Sequence, residues 1–213
     1  MSGLVALAGT ARAGKDTLAA PLIQRGFKPF AFSHPIKSFF AAYLAGDESI
    51  PQLHTRMREA NPQLTYEQFA DFFERVLLPF EHHDLMTDAF TENDHEKRII
   101  RPILEHGGEL IYDHIFQAYF AEVDAALERG DRIVNTRLVR LPEAQAWVER
   151  GGVIYVVHRK DWPAASDWEG KHLLALEESG LVTGHLMNDG SEADWKVFAE
   201  AFARGLQERK EVA

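Results

Sequence analysis

The chain has 213 residues, enough for one domain with a good core and room for an inserted subdomain. Its 46% hydrophobic and 26% charged residues give an ordinary soluble globular composition, and its formal charge of -10 offers no general attraction to nucleic acid or to anionic membranes. The absence of cysteine excludes disulfides and thiolate metal sites, and no apolar run approaches a membrane span or a secretion signal, which leaves the cytoplasm as the default compartment, in a host cell if the chain is phage-encoded.

Leu4-Val5-Ala6-Leu7-Ala8 is too short and too uniformly apolar for a surface helix and reads as a strand buried on both faces. A glycine-rich turn follows, then a helix over Thr17 to Arg25 closed by Gly26, with a kink expected at Pro21. Phe27 to Phe32 alternates as a second strand, and Pro35 to Leu44 carries a helical apolar face. Residues 47–100 change character. They are rich in charge, histidine and aromatics and read as a helical insertion, clearest from Thr65 to Leu78, where Thr65 and Gln68 form a capping box, with another helix start between Glu81 and Phe90.

From Arg101 onward the α/β pattern returns. Ile111 to Leu127 reads as a long helix, Arg132 to Asn135 as a short strand, and Pro142 to Arg150 as a helix ended by Gly151-Gly152. Val153 to Val157 is the strongest strand signal, and Trp195 to Gln207 an amphipathic closing helix. Strands alternating with helices predict a three-layer α/β fold, with a parallel sheet and helices on both faces.

The chemistry concentrates in Gly9-Thr10-Ala11-Arg12-Ala13-Gly14-Lys15-Asp16-Thr17, a Gly-x4-Gly-Lys loop between a predicted strand and a predicted helix. Glycines let backbone N–H groups turn inward onto phosphate oxygens, and the helix that follows adds the positive end of its dipole. Lys15 supplies a point charge for the β- and γ-phosphates. The strict pattern places Ser or Thr after the lysine, where this chain has Asp16. Asp16 and Thr17 are therefore the magnesium candidates, with Thr17 also on the α-phosphate, and Gly9, Arg12, Ala13 and Gly14 complete the ATP-Mg cradle.

The Gly-x4-Gly-Lys-Asp-Thr loop resembles the variant loop of the deoxynucleoside monophosphate kinases of phages and some bacteria. Further matches keep that family's order. Phe30 to Lys37 resembles the second strand and its turn, and Arg101 to Glu109, with Leu104 and Gly108, resembles an Arg-x-x-Leu-Gln-x-x-Gly stretch. Ile133 to Arg137 resembles an Ile-x-Asp-Val-Arg strand, Glu143-Ala144 to Ile154 a helix and strand around Gly-Gly, and Asn188-Asp189-Gly190 a C-terminal Asn-Asp-Gly element. The resemblance implies a P-loop kinase fold, ATP and Mg2+ as cofactors, and a nucleotide acceptor; it leaves a homodimer open. It also departs from the pattern: Asn135 stands where the family has Asp, Glu105 where it has Gln, and the lid pattern appears only as Asp167 to His172. The donor half matches better than the acceptor half.

On this resemblance Lys15, Asp16, Arg137 and Arg159 are the catalytic candidates, with Lys160 beside Arg159 in a lid-like segment over 159–186. His34, Lys37, Arg101 and Arg137 are the acceptor candidates, and Asn188 a nucleotide contact near the adenine. His82-His83-Asp84 lacks a partner at helical spacing and is weighed against a metal role. Three readings stand: a kinase of deoxynucleoside 5′-monophosphates, a kinase of the same family acting on a modified base such as 5-hydroxymethyluracil in phage DNA, and an ATP-binding regulatory protein.

Overall fold

A computed structural model describes residues 3–81, 87–91, 93–160, 163–164 and 166–208. In chain order the elements are β1 (Leu4–Ala8), α1 (Lys15–Gln24), β2 (Phe27–Phe30), α2 (Ser33–Leu44), α3 (Ile50–Ala60), α4 (Tyr66–Phe72), α5 (Leu78–Glu81), α6 (Asp94–Pro102), α7 (Gly108–Leu110), α8 (Tyr112–Glu128), β3 (Arg132–Asn135), α9 (Leu141–Glu149), β4 (Val153–His158), α10 (Asp167–Glu178), β5 (Gly184–Met187) and α11 (Glu192–Glu208). A π-helical turn at Phe73–Leu77 joins α4 to α5, and another at Ile103–Gly107 joins α6 to α7. The chain forms two compact units, one of residues 1–31 and 123–213 and one of residues 32–122.

The first unit holds a five-stranded parallel sheet in the order β2-β3-β1-β4-β5. β1 lies at its centre, paired with β3 from Leu4↔Ile133 and with β4 from Val5↔Val153. All five β1 residues are buried, as an apolar strand covered on both faces requires. Alternation divides them. Val5 and Leu7 pack with Val134 and Val157 against Leu18 and Leu22 of α1 and Trp195, Ala199 and Ala203 of α11. The opposite face carries Ile133, Ile154 and Val156, all fully buried, with Trp147 of α9 beneath Gly152. Pro29 has no N–H to give to a ladder, and β2 is accordingly an edge strand. Pro21 is buried inside α1, which continues past it to Gln24.

The second unit is helical among its described residues. Phe32 packs on Tyr112, Phe116 and Tyr119, and Phe40, Leu44, Leu53, Met57, Leu77 and Ile100 are buried. The capping box of α4 forms: Thr65 Oγ1 accepts from Gln68 N at 3.2 Å, and Gln68 Oε1 accepts from Thr65 N at 2.9 Å. Gly107 and Gly108 sit in helical backbone because α2 crosses there. A Cβ on Gly107 would lie 2.4 Å from the Phe40 ring, and one on Gly108 would lie 3.2 Å from Ile36. The helix start expected between Glu81 and Phe90, and the His82-His83-Asp84 cluster, fall largely outside the described residues.

Candidate phosphate-binding site

The loop after β1 opens at the C-terminal end of the central strand, where parallel α/β sheets place their ligands. Its curl comes from three left-handed residues: Gly9 at φ 131°, Arg12 at φ 64° and Gly14 at φ 103°. Gly9 also meets a packing limit, since a Cβ there would stand 2.3 Å from the Val157 carbonyl oxygen of β4. At Gly14 a Cβ would stand 2.5 Å from both Asn188 Nδ2 and Trp195 Nε1. Glycine is required at both positions by conformation and by space.

Two side chains far along the chain fix the loop from beneath. Asn188 Nδ2 donates to Ala13 O at 2.8 Å, and Trp195 Nε1 donates to Gly14 O at 2.9 Å. Asn188, expected near the adenine, is buried with its side-chain amide engaged on the loop backbone, and its own N–H donates to His158 O at 2.8 Å. Arg159 Nη1 reaches Arg12 O at 3.3 Å.

Lys15 begins α1 and folds back into the loop, where Nζ donates to Gly9 O and Thr10 O, each at 2.7 Å. Burial depresses its pKa from the ordinary value to about 8; Glu169 opposes that shift, Arg137 adds to it, and Asp16 opposes it. Glu169, in the first turn of α10, places Oε1 3.1 Å from Ala11 N, which donates to it. A loop amide thus already holds an anionic oxygen, beside a buried ammonium. Sequence reasoning recognised Glu169 only as part of a lid pattern and Trp195 only as a helix start. Their roles depend on contacts spanning 158 and 181 residues, for which the local sequence carries no signal.

The structure thus gathers Gly9, Arg12, Ala13, Gly14, Lys15, Asp16, Thr17, Arg137, Arg159 and Asn188 in the first unit. Asp16, Arg137 and Arg159 are exposed and Thr17 is half-buried. Asn135 is buried, and its Oδ1 accepts from Arg137 N at 2.7 Å, an Asx-type turn that fixes the backbone carrying Arg137. His34, Lys37 and Arg101 belong to the second unit. His34 packs its ring 5.2 Å from that of Phe90, Lys37 Nζ lies 5.5 Å from the same ring, and Arg101 pairs with Glu105 at 3.8 Å.

The residues present fit a magnesium triphosphate. The curled backbone turns Ala11 N–H onto an anionic oxygen, glycines at 9 and 14 let the loop pack closely on β4, Asn188 and Trp195, and Asp16 adds a hard oxygen donor next to Lys15.

Among solved structures, dephospho-CoA kinase from Campylobacter jejuni aligns over 99% of this chain and 100% of its own, with a TM-score of 0.51 and 10% sequence identity. The fold is that of the P-loop kinases. The protein TT1252 from Thermus thermophilus aligns over 96% of both chains at 16% identity, with a TM-score of 0.44. No family model matches the chain, and no curated protein matches it. At these identities the P-loop kinase likeness speaks to the fold, and the chemistry has to be argued from the site. Among the described residues no helix is long and apolar enough to cross a membrane.

Proposed function

We propose that the chain is an ATP-dependent phosphotransferase acting on a deoxynucleoside 5′-monophosphate to give the diphosphate. The carrying observation is the loop itself: a half-buried, partly desolvated Lys15 ammonium beside a backbone amide that already binds a carboxylate oxygen, at the C-terminal end of a central parallel strand. A partly desolvated cation within a left-handed backbone curl, held on two loop carbonyls, suits an anionic ligand.

Bound ATP-Mg supplies the phosphoryl donor and a leaving group whose charge the metal neutralises. The chain's own residues then have positional and electrostatic work. The loop amides and Lys15 hold the phosphates, and Glu169 gives up Ala11 N–H to them. Asp16 and Thr17 hold the magnesium. Arg137 and Arg159 bring positive charge to the transferring group. The Asn135 turn fixes the backbone that carries Arg137, so in this reading Asn135 shapes the site where the family it resembles has a carboxylate. A 5′-phosphate acceptor is already ionised near neutral pH, so the transfer needs no strong base from the protein. His34, Lys37 and Arg101 are assigned to acceptor binding.

The test is transfer of label from γ-labelled ATP to a panel of deoxynucleoside monophosphates, dephospho-CoA, and a duplex carrying 5-hydroxymethyluracil. Label on a monophosphate supports the proposal. Label only on dephospho-CoA or on the duplex overturns the acceptor class while keeping the phosphotransferase. No label on any of them, with ATP bound, favours a nucleotide-responsive regulatory protein.

A further inference from the structure

A second constellation, built from residues outside the phosphate loop, lies where β4, β5 and α10 meet. His158 ends β4, His185 lies in β5, and Glu177 stands near the end of α10, one residue beyond the buried Leu176. Val156 pairs with His185 across the β4–β5 ladder, and Val156 and His158 alternate onto one face, so the two imidazoles share it. Their rings are stacked with centroids 5.1 Å apart, and His158 Nε2 lies 2.9 Å from His185 Nδ1. Glu177 Oε1 lies 3.7 Å from His158 Nε2, and the three ligand atoms fall within 4.8 Å of one another.

We propose that His158, His185 and Glu177 form a binding site for a divalent transition-metal ion of the zinc class. Two imidazoles and one carboxylate are a donor set zinc accepts, with solvent filling the remaining position beside the exposed His185. Metal–ligand bonds of about 2.0–2.2 Å in a tetrahedron put neighbouring ligand atoms roughly 3.3–3.6 Å apart, a spacing that the 2.9 and 3.7 Å from His158 bracket, and all three atoms lie within 4.8 Å. Each ligand stands on a regular element. The carbonyl of His158 accepts from Asn188 N at 2.8 Å, and Thr183 N donates to Ile154 O at 2.7 Å, so the backbone beneath the imidazoles is pinned. With neutral imidazoles the carboxylate leaves the cluster one negative charge, which favours a dication. Bound metal would clip the C-terminal turn of α10 to the sheet. The first turn of that helix carries Glu169, so the ion would also restrain the group that covers the loop amide.

This inference is independent of the phosphotransferase reading, because it is tested without nucleotide. The untagged, metal-stripped full chain is titrated with zinc chloride by calorimetry and with cobalt(II) by visible absorption. His185→Ala, Glu177→Gln and the double variant His82→Ala/His83→Ala are measured beside it, with circular dichroism confirming that each folds. The expected result is one zinc per chain with Kd in the micromolar range or below, a loss of about tenfold or more in His185→Ala and in Glu177→Gln, and unchanged binding in the His82/His83 variant. Cobalt should give the intense visible bands of low coordination. The proposal is overturned by absence of saturable binding, by affinity that both site substitutions leave unchanged, or by binding that disappears with His82 and His83.

Discussion

Replacing Lys15 by methionine keeps an unbranched side chain and removes the buried charge. The drop in the Lys15 pKa from 10.5 to about 8 corresponds to about 3 kcal/mol of differential interaction against the protonated form. The unfolded chain keeps this proton up to its ordinary pKa, while the folded chain releases it near pH 8. In that window the unfolded state binds more protons, so wild-type stability rises with pH, and the stability is lost again as pH falls through about 8. Lys15→Met carries no such proton. Its stability relative to wild type should therefore be highest near neutral pH and decline by about 2 kcal/mol between about pH 7 and about pH 9.5. Urea unfolding of both proteins at the two pH values measures the difference, in which other titrating groups cancel. ATP-Mg should raise the unfolding midpoint of wild type and leave that of Lys15→Met unmoved. A stability difference that stays constant across the pH range would refute the account of a desolvated ammonium, and ATP stabilisation of both proteins would refute its role in phosphate binding.

Gly9→Ala forces a Cβ against the Val157 carbonyl at an unfavourable φ; we expect a loss of about 2–4 kcal/mol in chemical unfolding and no detectable nucleotide binding. Glu169→Ala frees Ala11 N–H, and fluorescence titration should show ATP binding tightened about threefold to tenfold; weaker binding would make Glu169 a ligand-side group instead of a competitor. Asn188→Ala leaves Ala13 O buried without this donor, which should cost about 1–3 kcal/mol in urea unfolding and weaken ATP binding in the same titration.

Four of the five strands of the sheet were readable because each of the four announces itself locally. Leu4 to Ala8 and Val153 to Val157 are apolar runs that each start after a glycine, and Arg132 to Asn135 was located to the residue. β5 was not foreseen: four residues, Gly-His-Leu-Met, are half-exposed at an edge and give neither alternation nor a continuous apolar run. α3 lies inside the stretch 47–100 that reads as a helical insertion, though without bounds of its own, and α10 was missed because its face buries only Leu176 and its period is weak. Of the site, the loop was legible because glycine spacing encodes backbone conformation directly. What holds the loop was not, because Asn188, Trp195 and Glu169 act through tertiary contacts that residue type does not reveal.

The ties from Asn188 to Ala13 and from Trp195 to Gly14 have a consequence for how the protein comes into being. The loop leaves the ribosome well before the side chains that shape it, which lie 175 and 181 residues further along the chain. The central strand, too, waits for both neighbours, since β3 and β4 follow it by more than a hundred residues. A nascent chain lacking β5 and α11 has the complete Gly-x4-Gly-Lys sequence without the means to hold its form. On the proposed reading, nucleotide capture would wait until α11 has docked, and ATP would act as a late folding ligand that selects chains in which it has.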